Sequence, residues 1–278
     1  MTLSTVHMHA DPVRVIAIGA HPDDCDIKAG GIAAKYAAAG HHVKFVSVTN
    51  GDAGHQAEGG GMLAARRRAE AQESGRRLGI EYEVLDNHDG ELVPSLDVRL
   101  QIIRKIRAWD ADVVIAPRPN DYHPDHRYTG ILVQDASYMV TVPNIASDTP
   151  AISKNPLFLY FSDRFTQPQP FRPDIVVSID DAIETKYLAL DAHVSQIYEW
   201  LPWHEGLLDQ VPKASRERLA WLKSTWSFEI PDAWRVAARK RYGEAAAAIR
   251  HAEAFEITEY GLQPSEKQIR RLVPFFPE

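Results

Sequence analysis

Cysteine occurs once in the chain, at position 25. One thiol closes no intrachain disulfide and builds no thiolate-rich zinc knot. Beside a tight turn, that small side chain reads as packing rather than as a nucleophile. A cationic excess is missing as well. Lys and Arg number 31 against 38 Asp and Glu, a formal net charge of −7, which leaves no basic footprint for nucleic acid. The run "RRR" at 66–68 lies among acidic neighbours in a helical pattern and reads as a solvated face. No apolar stretch has the length of a membrane span. The opening "MTLSTVHMHADP" lacks the basic flank and the apolar core of a signal peptide. The expectation is a cytoplasmic protein with neither a nucleic-acid nor a membrane partner. Internal repeats are absent too. What remains is ordinary for a globular fold: 278 residues, 45% hydrophobic and 25% charged, enough chain to bury a sizeable core.

Short apolar, β-rich runs recur at 14–20, 42–50, 81–86, 112–117, 157–162 and 174–179. Helical patterns alternate with them, over 27–40, from the glycine-rich loop 51–61 through Leu78, then over 96–109, 130–140 and 181–197. This alternation predicts an α/β fold with a doubly wound, mainly parallel, Rossmann-like sheet and helices on both faces. The common strand order 3-2-1-4-5 places strands one and four side by side. The segment "TQPQPFRP" (166–173) reads as a surface connection between two strands of one sheet. From about residue 198 the text changes. Trp200, Trp203, Trp221, Trp226 and Trp234 crowd into helical patches broken by prolines. The expectation is one domain, with a core over 13–197 and a C-terminal helical extension over 198–278. That extension either closes over the site or makes a subunit contact in a homo-oligomer.

Two stretches break the pattern. "AHPDDCD" (20–26) follows the first strand, and "PRPNDYHPDHRYTG" (117–130) follows the fourth. Ligands of open parallel sheets bind beyond the carboxyl ends of the strands, above all where strand order reverses. If strands one and four are neighbours, the two loops meet there and supply His21, Asp24, His123 and His126 with Asp23 and Asp125. This nitrogen and oxygen set suits a divalent ion such as Zn²⁺, and two imidazoles with one carboxylate make an open catalytic triad. The spare groups then have tasks, one accepting a proton from water and another stabilising an oxyanion or protonating a leaving group. The plainer reading is that each loop caps a helix, with Asp accepting free N–H groups and Pro in the first turn. It explains either loop alone better than both together. His41, His42, His55, His88, His193, His204 and His251 have no comparable setting and stay outside the metal set.

These residues carry a resemblance. "AHPDDCD" and "HPDH" resemble the paired motifs of the PIG-L/LmbE-type zinc-dependent N-deacetylases, which act on N-acetylglucosamine-containing substrates. "RRAEAQESGRRLGI" (67–80), "FRPDIVVSIDDAIETKYLALDAHVSQ" (171–196) and "HAEAFE" (251–256) resemble further stretches of that family. The resemblance implies metal ligands His21, Asp24 and His126, a general base Asp23, and His123 as oxyanion stabiliser or acid. It also implies Asp125 as the partner of a ligating imidazole and Arg67 near the substrate. The sequence departs from the commonest motif in having Cys25 before Asp26 where many members have Glu. The reaction so implied is hydrolysis of an N-acetyl group from a small-molecule N-acetylglucosamine-type amino sugar or its conjugate, with Zn²⁺ as cofactor. One rival uses the same triad with Fe²⁺ in a non-haem oxygenase. The other is a sugar-binding module that keeps its metal without turnover. A spare aspartate beside the triad favours the hydrolase over the first, and the presence of both Asp23 and His123 favours it over the second.

Overall fold

The computed structural model describes residues 11–277. Most of the opening stretch read for a signal peptide lies outside them. Strand β1 (Arg14–Gly19) shows why its run is apolar throughout. Val15 and Ala17 enter a core on one face of the sheet, and Ile16 and Ile18 enter a second core on the other, as the two-residue period of a strand requires. Then follow α1 (Asp24–Ala38), β2 (His42–Thr49), α2 (Gly60–Leu78), β3 (Glu81–Asn87), α3 (Leu96–Trp109), β4 (Val113–Ala116), α4 (Pro124–Met139) and β5 (Leu157–Phe161). The second half holds β6 (Ile175–Ser178), α5 (Ile183–Leu190), a π-helical turn over Gln196–Trp200, α6 (Leu201–His204), α7 (Ser215–Thr225), α8 (Asp232–Tyr242), β7 (Ala252–Gly261) and α9 (Glu266–Leu272). Among the described residues no helix is long and apolar enough to cross a membrane.

The sheet has seven strands in the order β3-β2-β1-β4-β5-β7-β6. Its first five members are parallel, with Val15 opposite Val113 and Ala17 opposite Ile115 across the β1/β4 junction. The doubly wound sheet read from the sequence is thus present, with its reversal between β1 and β4. Helices α1, α2 and α5 pack against one another, and α3 packs on α4.

The C-terminal segment departs from the reading of a purely helical extension. Besides α7, α8 and α9 it sends β7 back between β5 and β6, antiparallel to both. The connection 166–173 therefore joins two strands of one sheet, as expected, but they are not neighbours. "AEAFEITEYG" conceals a central strand because its carboxylates are buried by specific partners rather than solvated. Glu253 is 4% exposed. It accepts the N–H groups of Gly31 at 2.8 Å and Ile32 at 2.7 Å, and it pairs with the fully buried Lys186 at 2.6 Å. Lys186 also donates to the Ile27 carbonyl at 2.7 Å. A carboxylate and an ammonium thus enter the hydrogen-bond ladder of α1 at mid-helix and fasten that helix to the C-terminal strand.

At the other end of α1 a glycine is required. A Cβ on Gly19 would stand 2.7 Å from Asp24 Cβ and 3.1 Å from Cys25 Sγ. Bare backbone there lets the helix start press against the end of β1. Cys25 itself is fully buried in the core, and burial holds its thiol well above its usual pKa.

Candidate active site

Because β1 and β4 are adjacent, the loops beyond their carboxyl ends converge. His21, Asp23 and Asp24 come from the first; Asp121, His123, Asp125 and His126 come from the second. Asp24 occupies the first turn of α1, yet neither aspartate caps that helix. Asp23 stands at the N-cap position without a side-chain capping bond. The Asp24 Oδ2 atom accepts the loop N–H groups of Ala20 at 2.8 Å and His21 at 2.9 Å instead. On α4 the cap is an imidazole, His123 Nδ1 accepting the Asp125 N–H at 3.2 Å. Capping therefore does not account for the paired carboxylates.

Three side chains face one another with four donor atoms. His21 Nδ1 lies 3.2 Å from His126 Nε2. His126 Nε2 lies 3.4 Å from Asp24 Oδ1, and His21 Nδ1 lies 3.6 Å from Asp24 Oδ2. Ligands about 2.0–2.1 Å from a tetrahedral zinc stand roughly 3.3 Å apart, so this donor set fits such an ion. The outer nitrogens have carboxylate neighbours, the arrangement that orients imidazole ligands. His126 Nδ1 lies 3.0 Å from Asp121 Oδ1. His21 Nε2 lies 3.1 Å from Asp89 Oδ1 and 3.4 Å from Asp125 Oδ2, neither aligned as a hydrogen bond. Asp125 is fully buried and accepts the Gly90 N–H at 2.7 Å. Two further donor groups, His21 with His123 and His126, and His21 with Asp89 and Asp125, have their donor atoms within 4.8 Å of one another. His123 Nδ1 is already engaged by backbone.

Electrostatics agree with a cation at this point. Burial works against a charge on either metal-facing imidazole, but the carboxylates outweigh it. Asp125, Asp24 and Asp89 hold His21 well above its usual pKa, and Asp24 with Asp121 raises His126 to about 9. For Asp24, burial is in turn outweighed by His126 and His21, which hold it well below the usual carboxylate range. A site that retains protons in this way favours positive charge, and a divalent ion satisfies the same potential by displacing them.

Asp23 and His123 flank the triad with different electrostatics. Burial pushes Asp23 up to about 6, while Arg67, whose Nη2 stands 3.5 Å from Asp23 Oδ1, opposes the rise. Its backbone, at φ 152°, is a conformation L-residues rarely adopt. His123 is lowered by burial and by the neighbouring His21 and His126. With Nδ1 accepting from backbone, its proton resides on Nε2, which remains available as a donor.

Arg67 resolves the register of the "RRR" run. It is 2% exposed and reaches the Gly51 and Pro22 carbonyl oxygens at 3.2 and 3.3 Å, with Asp89 Oδ2 at 3.5 Å. It stands beside Asp23 and is among the residues that line the cavity at the triad. Arg66 turns away to Glu199, in the π-helical turn, at 2.7 Å, and Arg68 meets the solvated Asp86. The same turn holds the glycine-rich loop: Gln196 Nε2 donates to the Gly54 carbonyl oxygen at 3.0 Å, and Glu199 lies 3.0 Å from His55 Nε2. A cavity of about 670 Å³ opens at the triad, lined also by Phe165, Trp200 and His204. His193 stays outside the metal set, fully buried with Nε2 3.2 Å from Asp26.

Asp89 and Asp121 were not singled out by the sequence reading. Both lie just past the carboxyl ends of strands, β3 and β4, which is the one signal that marks them. Lys28, which lines the cavity one helical turn beyond Asp24, carries no such signal.

Fold and site together define an α/β protein with a divalent-metal donor set in its switch-point crevice. The profile of the family described as PIG-L, GlcNAc-PI de-N-acetylase, matches residues 16–137. Diacetylchitobiose deacetylase of Thermococcus kodakarensis is 32% identical over 210 residues, covering 71% of this chain and 76% of that protein. The N,N'-diacetylchitobiose deacetylase structure from Pyrococcus horikoshii superposes with a TM-score of 0.66 at 29% identity, over 89% of this chain and 84% of that one. At 20% identity and a TM-score of 0.64, 4-carboxy-2-hydroxymuconate hydratase from Pseudomonas putida shares the fold over 90% of this chain and 96% of its own. The chain belongs to the PIG-L family of de-N-acetylases.

Proposed function

We propose that the protein is a metal-dependent hydrolase that removes the acetyl group from an N-acetylated amino sugar or its conjugate. The observation that carries this reading is the closed set of contacts, 3.2–3.6 Å, among His21, Asp24 and His126, with an acid and an imidazole left free beside it. Two of the relatives are diacetylchitobiose deacetylases by description, which supports the same chemistry.

His21, Asp24 and His126 would hold the ion, with Zn²⁺ the best match to two imidazoles and one carboxylate. When bound, such an ion polarises an amide carbonyl and makes water acidic enough to deprotonate near neutral pH. Asp23 takes that proton, its carboxylate held by Arg67. As the tetrahedral oxyanion forms, the His123 Nε2–H donates to it, a contact stronger in the transition state than in the ground state. The amine leaves after receiving from Asp23 the proton taken from water, and acetate follows. Asp89, Asp121 and Asp125 orient the imidazoles.

The experiment is acetate release from neutral and charged N-acetylhexosamines, with zinc added and after chelation. Expected is release that chelator abolishes and zinc restores. Absence of acetate from every N-acetylated sugar, with metal bound, rejects this function.

A further inference from the structure

His193 has no part in the chemistry above, yet its imidazole is fully buried. Its Nε2 stands 3.2 Å from Asp26 Oδ2, and neither ring nitrogen makes an aligned hydrogen bond among the described residues. To fill space alone an apolar side chain would serve better, since buried polar atoms without partners destabilise. Asp26 is fully buried as well, and it accepts the hydroxyls of Ser74 and, at 3.0 Å, of Tyr82. Burial works against a charge on His193, but Asp26, followed by Asp23 and Glu70, outweighs it and raises the imidazole's pKa. Asp23 is therefore within electrostatic reach of His193.

The cluster lies behind the first turn of α1. Asp24 and Asp26 are two residues apart, so their side chains leave the helix on opposite sides. Asp24 meets His21 and His126, and Asp26 meets His193. Asp24 has further anchors, the N–H groups of Ala20 and His21. Asp23 is held less firmly: Arg67 stands 3.5 Å away, beyond hydrogen-bond length, and a backbone at φ 152° persists only where its surroundings impose it. The chain just past His193 grips the other side of the same corner. Ser195 donates its N–H and its hydroxyl to Glu70, at 2.9 and 2.5 Å, one turn beyond Arg67 on α2, and Gln196 donates to the Gly54 carbonyl oxygen. His193, Ser195 and Gln196 thus tie α1, α2 and the glycine-rich loop together around Asp23.

We infer that His193 is a positioning residue for the general base: by holding Asp26 it fixes the first turn of α1 and, through that turn, the strained Asp23, without touching substrate or metal. This rests on the deacetylase reading and deepens it. Loss of the imidazole falls on Asp23 rather than on Asp24, because Asp24 is separately anchored by the loop N–H groups.

The test is a double-mutant cycle on the zinc-loaded protein, with an N-acetylated sugar that it turns over, at a temperature where each variant is folded by circular dichroism. His193→Leu should lower kcat by about 10- to 100-fold, the cost of displacing a reacting group by up to about 1 Å, while KM and zinc content stay at the parent's values. His193→Gln keeps a donor near the Nε2 position and should lie between the two; it carries the same cycle if the leucine variant does not fold. In the Asp23→Asn background neither substitution should cost anything further in kcat, because residues that act through one group are not additive. Damage to the fold alone would lower kcat in both backgrounds alike. Parental kcat in the His193 variants, losses that add in full to that of Asp23→Asn, or a loss carried by KM or by zinc content overturns this inference and leaves the deacetylase standing. Acetate from no N-acetylated sugar by the parent protein rejects both.

Discussion

Arg67→Met separates two roles for a single cation. Near the substrate, as the family resemblance implies, its loss would raise KM. In the structure it is 2% exposed and its guanidinium stands 3.5 Å from both Asp23 and Asp89. Removing one member of a buried ion pair costs about 3–5 kcal/mol, since the partner stays buried and uncompensated. Both contacts are long, so the lower end applies, about 3 kcal/mol. At roughly 2–4 °C per kcal/mol for a chain of this size, the Tm should fall by about 6–12 °C. The Gly51 and Pro22 carbonyl oxygens lose their donor too, so Asp23 and the glycine-rich loop are no longer held. On the proposed mechanism kcat should fall by up to about 10²-fold, part of the worth of a positioned base, while KM changes little. Arg67→Lys keeps the charge without the fork and should lie between. Arg66→Met removes a partly exposed pair with Glu199 and should cost about 1 kcal/mol or less, and Arg68→Met should be nearly silent. Scanning calorimetry and steady-state kinetics on the same preparations give both readouts. An unchanged Tm with the loss confined to KM would refute the role of Arg67 as the support of Asp23.

The adjacent carboxylates should fail differently. Asp24→Asn removes a charged donor and should lower metal content by elemental analysis, with added zinc partly restoring activity. Asp23→Asn should keep its metal while kcat falls by roughly 10²–10⁴, beyond rescue by zinc; the reverse pattern exchanges the two roles. Glu253→Ala strands the buried Lys186 ammonium and the Gly31 and Ile32 N–H groups, and should destabilise by about 3–5 kcal/mol in denaturant titration. A loss under about 1 kcal/mol would mean that α1 does not depend on the C-terminal strand.

Local pattern was sufficient for several features. Alternating runs of strand and helix period, with glycines at helix ends, specified the five-stranded parallel core, and its order placed the loops after β1 and β4 together. Six polar residues of those loops, His21, Asp23, Asp24, His123, Asp125 and His126, were legible because such groups have no local reason to follow two apolar strands. Tertiary structure alone decided the rest. It showed that Asp23 and Asp24 cap nothing, because capping depends on where a side chain points. It turned Arg67 inward and Arg66 and Arg68 outward, a choice three identical letters cannot encode. It brought Asp89 and Asp121 to the outer imidazole nitrogens from strand ends distant in sequence from His21 or adjacent to His126. It also set β7 inside the sheet, where Glu253 is buried against Lys186 and two helix N–H groups. A charged residue reads as solvated until its partners are known, and those partners lie more than sixty and two hundred residues away. Periodicity reports the face a residue occupies; only the folded chain supplies the counter-charge that lets a carboxylate occupy a buried one.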